Sequence, residues 1–287
     1  MNETKMAEQS FSDMCALVTE LAGHTVQHPM DGVTVYDGGF TSFNWYSRIC
    51  VESPAADHPE QAEKLLSLLE ASRLPLLSFT VEDIPESFAS RLPELGYKPE
   101  VTQTGMIVPL PLVSNTDASV SLNTDATVRK TPASPDAGTE SNARSDSCII
   151  RIGAEELDAW SDTVCRAFQK PDDKNAFQLM IHCDDCHFFA WKENGEILGT
   201  TLLYTKNGNA GIHEVGVLHK HRRRGIAAAL VRHALKVAAD EGAAISTLQA
   251  SDLGLPVYES LGYKKVSRIR TWINPPRIPA LAAKEAD

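Results

Sequence analysis

The chain has 287 residues, a formal net charge of −11, and 43% apolar against 23% charged side chains, the balance of a globular protein rather than a fibrous or wholly disordered one. No run approaches the roughly eighteen consecutive apolar residues of a membrane span, and so acidic a chain lacks the basic surface that general nucleic-acid binding needs. The opening segment carries Glu3 and Glu8 among polar residues, unlike a secretory leader, and six cysteines are too sparse for a disulfide scaffold, so the expected setting is the cytoplasm with the thiols reduced.

In chain order, Phe43–Val51 has the β-branched and aromatic content of a strand, and Gln61–Ser72 sets Ala62, Leu65, Leu66, Leu68 and Leu69 on a helical face. Leu74–Val81 predicts a strand, Glu86–Leu95 a second helix stopped at Gly96-Tyr97, and Thr104–Leu110 another strand. From Ser114 to Ser147 there is no aromatic residue, and the only sizeable aliphatics are Val120, Leu122 and Val128. Such a stretch cannot offset its ordering entropy, so a flexible linker is expected over 114–147. It divides the chain into 1–113, with net charge −10, and a second half from 148 with net charge +1.

The second half predicts helices at Leu157–Phe168 and Asn175–Ile181, then strands at Phe188–Lys192 and Ile197–Tyr204 around a Glu193-Asn194-Gly195-Glu196 turn. Ile212–Leu218 follows as a strand, Ile226–Glu241 as a helix stopped by Gly242, Ala244–Gln249 as a strand, Pro256–Leu261 as a short helix and Lys265–Thr271 as a final strand. That order makes an α/β layered domain around a mixed sheet over 148–274, with 275–287 expected to be a tail.

The segment Val215-Gly-Val-Leu-His-Lys-His-Arg222-Arg-Arg-Gly225-Ile-Ala227 runs from a strand through a basic turn into a helix that opens at glycine. Free amides at the positive end of a helix dipole, beside small residues, can cradle a pyrophosphate, and Arg222, Arg223 and Arg224 add charge. A solvated basic turn entering a core helix is the plainer alternative. Downstream, Val257-Tyr258-Glu-Ser-Leu-Gly262-Tyr263 closes a short helix.

With these two elements in this order, the chain resembles the GNAT superfamily of N-acetyltransferases: Arg222-x-x-Gly225-x-Ala227 looks like its (Gln/Arg)-x-x-Gly-x-(Gly/Ala) motif, and the Tyr258 segment like its Leu-Tyr-x-x-x-Gly-Phe motif. Ala227 and Tyr263 are conservative departures. The resemblance covers about 148–274 and implies a GNAT-like mixed sheet flanked by helices. It further implies that acetyl-CoA is the cosubstrate, with no metal expected. Val215, Gly216 and Val217 would hold the pantetheine arm by their backbone, and the amides of Arg223, Arg224, Gly225, Ile226, Ala227 and Ala228 the pyrophosphate. The strands Ile212–Leu218 and Ala244–Gln249 would splay to open a slot for the thioester.

A protonated amine needs a base, and a departing thiolate benefits from a proton donor. Tyr258 matches the family's donor position, an aromatic packed on the sheet being the alternative. Glu214, or a water relay, is the candidate base, with Asp252 a second carboxylate near the acceptor. Glu214 could equally be a solvated or ion-paired residue, and His213, facing oppositely, reads as structural or surface. Leu92-Pro-Glu-Leu-Gly96-Tyr97 echoes Ser260-Leu-Gly262-Tyr263, so 1–113 looks like a diverged GNAT-like copy without the cofactor motif, an unrelated α+β module being the alternative. Packed as a pseudo-dimer, the halves are compatible with a monomer, and the acidic half suits a cationic, amine-bearing acceptor. His182-Cys183-Asp-Asp-Cys186-His187 has metal-ligating residue types but no second Cys pair, and reads as a loop with incidental thiols. The function implied is acetyl transfer to a primary amine; the rival is a non-catalytic acyl-CoA-binding sensor or interaction module.

Overall fold

The computed structural model describes residues 3–40, 43–52, 59–80, 84–110, 147–170 and 174–277. The linker expected over 114–147 lies outside them apart from Ser147. The first half contains α1 (Glu3–Leu21), β1 (Gln27–Met30), β2 (Val33–Tyr36), β3 (Arg48–Val51), α2 (Pro59–Ala71), β4 (Leu76–Phe79), α3 (Glu86–Ala89) and β5 (Lys98–Pro109). The second contains β6 (Ser147–Arg151), α4 (Leu157–Phe168), α5 (Lys174–Met180), β7 (Cys186–Glu193), β8 (Glu196–Lys206), β9 (Asn209–Val217), α6 (Ile226–Asp240), β10 (Ile245–Ala250), α7 (Leu255–Ser260) and β11 (Lys264–Ile273).

Local chemistry explains most boundaries. Asn194-Gly195 and Asn207-Gly208 all take positive φ, the backbone of two-residue hairpin turns, and join β7 to β8 and β8 to β9. Helix α6 buries Ile226, Leu230, Val231, Ala234, Leu235 and Ala238 on one stripe. It ends in a Schellman arrangement, Ala243 N–H donating to the Ala238 carbonyl and Gly242 N–H to Ala239, with Gly242 at φ 87°.

β5 begins at Lys98, six residues before the strand expected from Thr104, and three further segments differ from the sequence expectation. The strand expected over Phe43–Val51 begins only at Arg48, because the Asn44 side-chain carbonyl accepts the amides of Tyr46 (2.9 Å) and Ser47 (3.1 Å) and holds a turn. The helix expected over Glu86–Leu95 splits into α3 and a 3-10 turn at Pro93–Leu95, since Pro93 has no N–H to continue the ladder. The start of the expected tail is anchored: Arg277 donates to the Tyr97 hydroxyl (2.8 Å), and just before it Asn274 N–H donates to the Pro75 carbonyl (2.7 Å) and its side chain to Leu95 O (2.8 Å). Helix α1, unassigned in the sequence, buries Ala7, Phe11, Met14, Cys15 and Val18.

All strands join one mixed sheet in the order β1-β2-β3-β4-β11-β5-β10-β9-β8-β7-β6. The two halves interleave there: β5, from the first, lies between β10 and β11 of the second, and β11 lies between β4 and β5. The order of pairing also repeats. In β1-β2-β3-α2-β4-α3-β5 and in β7-β8-β9-α6-β10-α7-β11, two antiparallel pairs lead to a parallel pair joined through a helix. The last strand of each run then pairs antiparallel to the other half's parallel strand.

Residues 147–277 expressed alone would leave β11 without either neighbour and β10 with one open edge. The expected outcome is no cooperative thermal transition by circular dichroism; a sharp, reversible transition would mean that β11 folds back onto β10 without the first half.

Candidate functional site

The parallel strands β9 and β10 pair only from Asn209–Ile212 against Ile245–Leu248. Beyond that point β9 continues along β8 to Val217, while β10 continues along β5, Ala250 opposing Thr104. A pocket occupies the wedge. Ile212 to Val215, Gln249 and Ser251 line it from the diverging strands, Tyr258 from α7, Val164 and Phe168 from α4, and Phe11, Phe43, Trp45, Tyr46 and Gln103 from the first half.

At the mouth of the wedge β9 is bulged. Its register with β8 jumps between Thr200, opposite Gly216, and Leu202, opposite His213, and Glu214 takes φ 49°, a left-handed conformation that costs a non-glycine residue about 1–3 kcal/mol. The bulge is held by hydroxyls of β8: Thr200 donates to the Glu214 carbonyl (2.9 Å) and Thr201 to the His213 carbonyl (3.4 Å). Strand alternation put His213 and Glu214 on opposite faces; the bulge brings both into the pocket wall, so His213 is neither a surface residue nor remote from the site. Burial lowers the His213 imidazole to about 4, keeping it neutral at neutral pH, and its Nε2 has no hydrogen-bond partner among the described residues.

The Glu214 carboxylate accepts a hydrogen bond from the Tyr46 hydroxyl at 2.6 Å. Burial raises its pKa above the ordinary carboxylate range, and the Tyr46 bond works in the opposite direction. The carbonyl of the preceding residue, Trp45, accepts from Arg48, a wholly buried cation (Nε, 3.0 Å, and Nη2) that also donates to Ser78 Oγ (2.7 Å). Its guanidinium lies 4.6 Å from the ring centroids of both Phe11 and Trp45. Tyr258 is also buried in the wall, which raises its pKa, and its hydroxyl has no hydrogen-bond partner among the described residues. Tyr263, by contrast, spends its hydroxyl on Ser246 Oγ (2.7 Å) beneath the sheet.

At the far end of β9 the basic turn meets α6. Gly225 caps the helix at φ 79° with no side-chain cap, so the first amides of α6 face outward without intrahelical partners, and nothing lies within 4 Å of where its Cβ would project. Gly216 admits no side chain, because a Cβ would come within 2.9 Å of Ala167 Cβ. The three arginines are not equivalent. Arg222 donates to the carbonyls of Val217 (3.1 Å) and Ala167 (2.9 Å), tying β9 to the end of α4, and Arg224 pairs with Glu193 (2.7 Å). Arg222 is thus spent on backbone carbonyls, whereas Arg224 and Arg223 are exposed, the latter at φ 62°. Ile226 is buried, and Ala227 and Ala228 are half-buried in the first turn of α6.

Asp252, the second carboxylate considered, is exposed in the turn after β10 and outside the pocket wall, which Ser251 lines instead. In the His182–His187 segment, His187 turns inward to Arg151 (2.7 Å) and Glu241 (2.9 Å). No cluster of three or more metal-ligating side chains occurs among the described residues. The sequence suggests that the first half packs on the second and shapes the acceptor pocket, but it does not single out Phe11, Phe43, Trp45 or Tyr46 as the residues that do so. The signal for that wall was the aromatic run Phe40–Tyr46, whose content also suits a strand.

Residues 157–263 match the acetyltransferase (GNAT) family. Among solved structures, a GCN5-related N-acetyltransferase from Kribbella flavida is similar at 20% identity and TM-score 0.57, covering 94% of this chain and 95% of that one. A functionally unknown conserved protein from Staphylococcus epidermidis is similar at 14% identity and TM-score 0.53, covering 87% and 93%. A GCN5-related N-acetyltransferase from Sphaerobacter thermophilus follows at 16% identity and TM-score 0.50, covering 95% and 93%. No curated protein sequence matches. The family match spans residues 157–263, and the mixed, helix-flanked sheet shares its fold with these solved structures over nearly the whole chain.

Proposed function

We propose that the protein is an N-acetyltransferase that moves an acetyl group from acetyl-CoA to a primary amine by direct attack in a ternary complex. The observation that carries this reading is the convergence of Glu214 and Tyr258, a carboxylate and a phenol, on one pocket in the wedge between β9 and β10. The amides of the turn before α6 and of its first residues, from Arg223 to Ala228, would take the pyrophosphate, and the backbone of Val215, Gly216 and Val217 the pantetheine arm, which leads the thioester toward Glu214. Arg222 contributes by bracing the turn rather than by touching phosphate.

In the reaction the amine nitrogen loses a proton to the Glu214 carboxylate and attacks the thioester carbonyl; the C–S bond breaks, and the Tyr258 hydroxyl gives its proton to the departing thiolate. Burial raises the pKa of Tyr258, so its hydroxyl is protonated at neutral pH and present as a donor when the thiolate leaves. The first half serves as a diverged GNAT-like copy that walls the acceptor side, a reading supported by the repeated order of strand pairing. A cytoplasmic setting goes with it, in which the six cysteines stay thiols. Among the described residues, no helix is long and apolar enough to cross a membrane.

Three measurements test the proposal. Ala227→Glu keeps a helix-compatible residue in the first turn of α6, where a carboxylate favours the helix dipole but opposes a pyrophosphate. Calorimetric titration is expected to show acetyl-CoA binding about 100-fold weaker with an unchanged melting temperature; unaltered affinity would place the cradle elsewhere. Tyr258→Phe should lower kcat about tenfold or more with acetyl-CoA affinity preserved, read as thiol release over a panel of amines. An unchanged rate would remove Tyr258 from the proton path, and acetyl-CoA binding with no acceptor-dependent thiol release would favour the sensor. Glu214→Gln should cost about 100-fold in kcat/KM. Because the base must be ionised, wild-type activity should fall as pH drops through a midpoint above the ordinary carboxylate range, and that limb should vanish in the variant.

A further inference from the structure

We propose that Tyr46, a residue of the first half, is a positioning residue of the acyl-transfer site: its phenol fixes the Glu214 carboxylate as a proton acceptor inside the pocket, so the site is incomplete without that half. The inference rests on Glu214 as the base and extends it to a second residue, some 170 positions away in the chain, that neither GNAT-like motif contains.

The geometry carries it. Tyr46 Oη lies 2.6 Å from Glu214 Oε1, the length of a charge-assisted O–H···O⁻ bond, and both residues line the pocket. Nothing about the contact is loose. On one side Glu214 is set by a left-handed backbone and two threonine hydroxyls. On the other, Tyr46 sits in a turn whose amides are taken by Asn44 and whose Trp45 carbonyl is clamped by the buried Arg48 guanidinium. Two independently braced backbones meet at one hydrogen bond.

Among the described residues, the Tyr46 hydrogen bond is the interaction that favours the ionised form of Glu214. His213, its neighbour on β9, is neutral, and Tyr258 on α7 keeps its proton. Lys170, after α4, is the nearby cation of the pocket wall, but its ammonium is paired with Glu100 of β5 and lies 5.5 Å from the Trp45 ring. Against the desolvation that pushes the Glu214 carboxyl toward its protonated form, the phenol is the stabilising donor.

The test is the titration of Glu214 itself, which needs no acceptor. In protein labelled with 13C at the glutamate carboxyls, the Glu214 signal is identified by its loss in Glu214→Gln, and its midpoint is compared between wild type and Tyr46→Phe. Removing the phenol removes the bond that favours the anion, so the midpoint is expected to rise, and kcat/KM on the acidic limb to fall about tenfold at a given pH while the alkaline plateau changes less than about twofold. Placing 3-fluorotyrosine at position 46 keeps the hydroxyl and makes it a stronger donor; it covers the case in which Tyr46→Phe does not fold, and should lower the midpoint. An unmoved midpoint, with or without a uniform loss of rate, would overturn the proposal. Full turnover by Glu214→Gln would instead remove Glu214 as base, and the titration would still decide whether Tyr46 holds it.

Discussion

Because β5 lies between β10 and β11, the outer edge of β10 is hydrogen-bonded from Ile245 to Ala250 to a strand of the other half. Its pairing with β9, on the opposite edge, ends at Leu248. A parallel pair held along its whole length would leave no slot in the sheet; here each strand is drawn toward a different antiparallel neighbour, β9 toward β8 and β10 toward β5. The wedge opens where the bulge at His213 and Glu214 interrupts the regular run of β9 beside the end of its pairing with β10. The insertion of β5 carries the first half over the open side, which places aromatic rings of α1 and of the segment before β3 opposite the second half's carboxylate.

Within the wedge, burial and hydrogen bonding set the chemical character of each group. His213 and Glu214 are sequence neighbours in one cavity, yet desolvation drives both toward neutrality, lowering the imidazole and raising the carboxyl. A single phenol then distinguishes them, since Tyr46 reaches Glu214 and no described group reaches His213 Nε2. Arg48 has an analogous place in the support. Its charge is buried without an ion-pair partner among the described residues and is met instead by a backbone carbonyl, a serine hydroxyl and two aromatic rings. Such an arrangement is stable only while all of those partners keep their positions, so the cation makes the turn that carries Trp45 and Tyr46 rigid.

Much of the second half was legible in the sequence because its signals are local. Helix α6 shows its apolar stripe and its glycine stops, and the Asn194-Gly195 turn demands positive φ that few other residue pairs supply. Less of the first half was legible. The buried stripe of α1, from Ala7 through Phe11, Met14, Cys15 and Val18, has helical spacing, but it is diluted by charged and polar neighbours at Glu3, Glu8 and Gln9. The aromatic run before Arg48 has the composition of a strand, and only the Asn44 side chain, by taking two amides, makes it a turn.

The basic turn was legible as a motif but not in the duties of its side chains. Arg222 and Arg224 look alike in sequence, yet one braces two backbone carbonyls and the other pairs with Glu193 at the end of β7, thirty-one residues away. By itself the sequence determined the α/β class and, from α4 onward, the order of elements in the second half, which follow from periodicity and turn chemistry, while Tyr258 was singled out only through the family resemblance. Tertiary structure alone decided the interleaving of the halves, the inward turn of His213 beside Glu214 and the meeting of Glu214 with Tyr46. The physical reason is that each of these depends on hydrogen bonds between strands and side chains distant in the chain, which no local pattern of residues encodes.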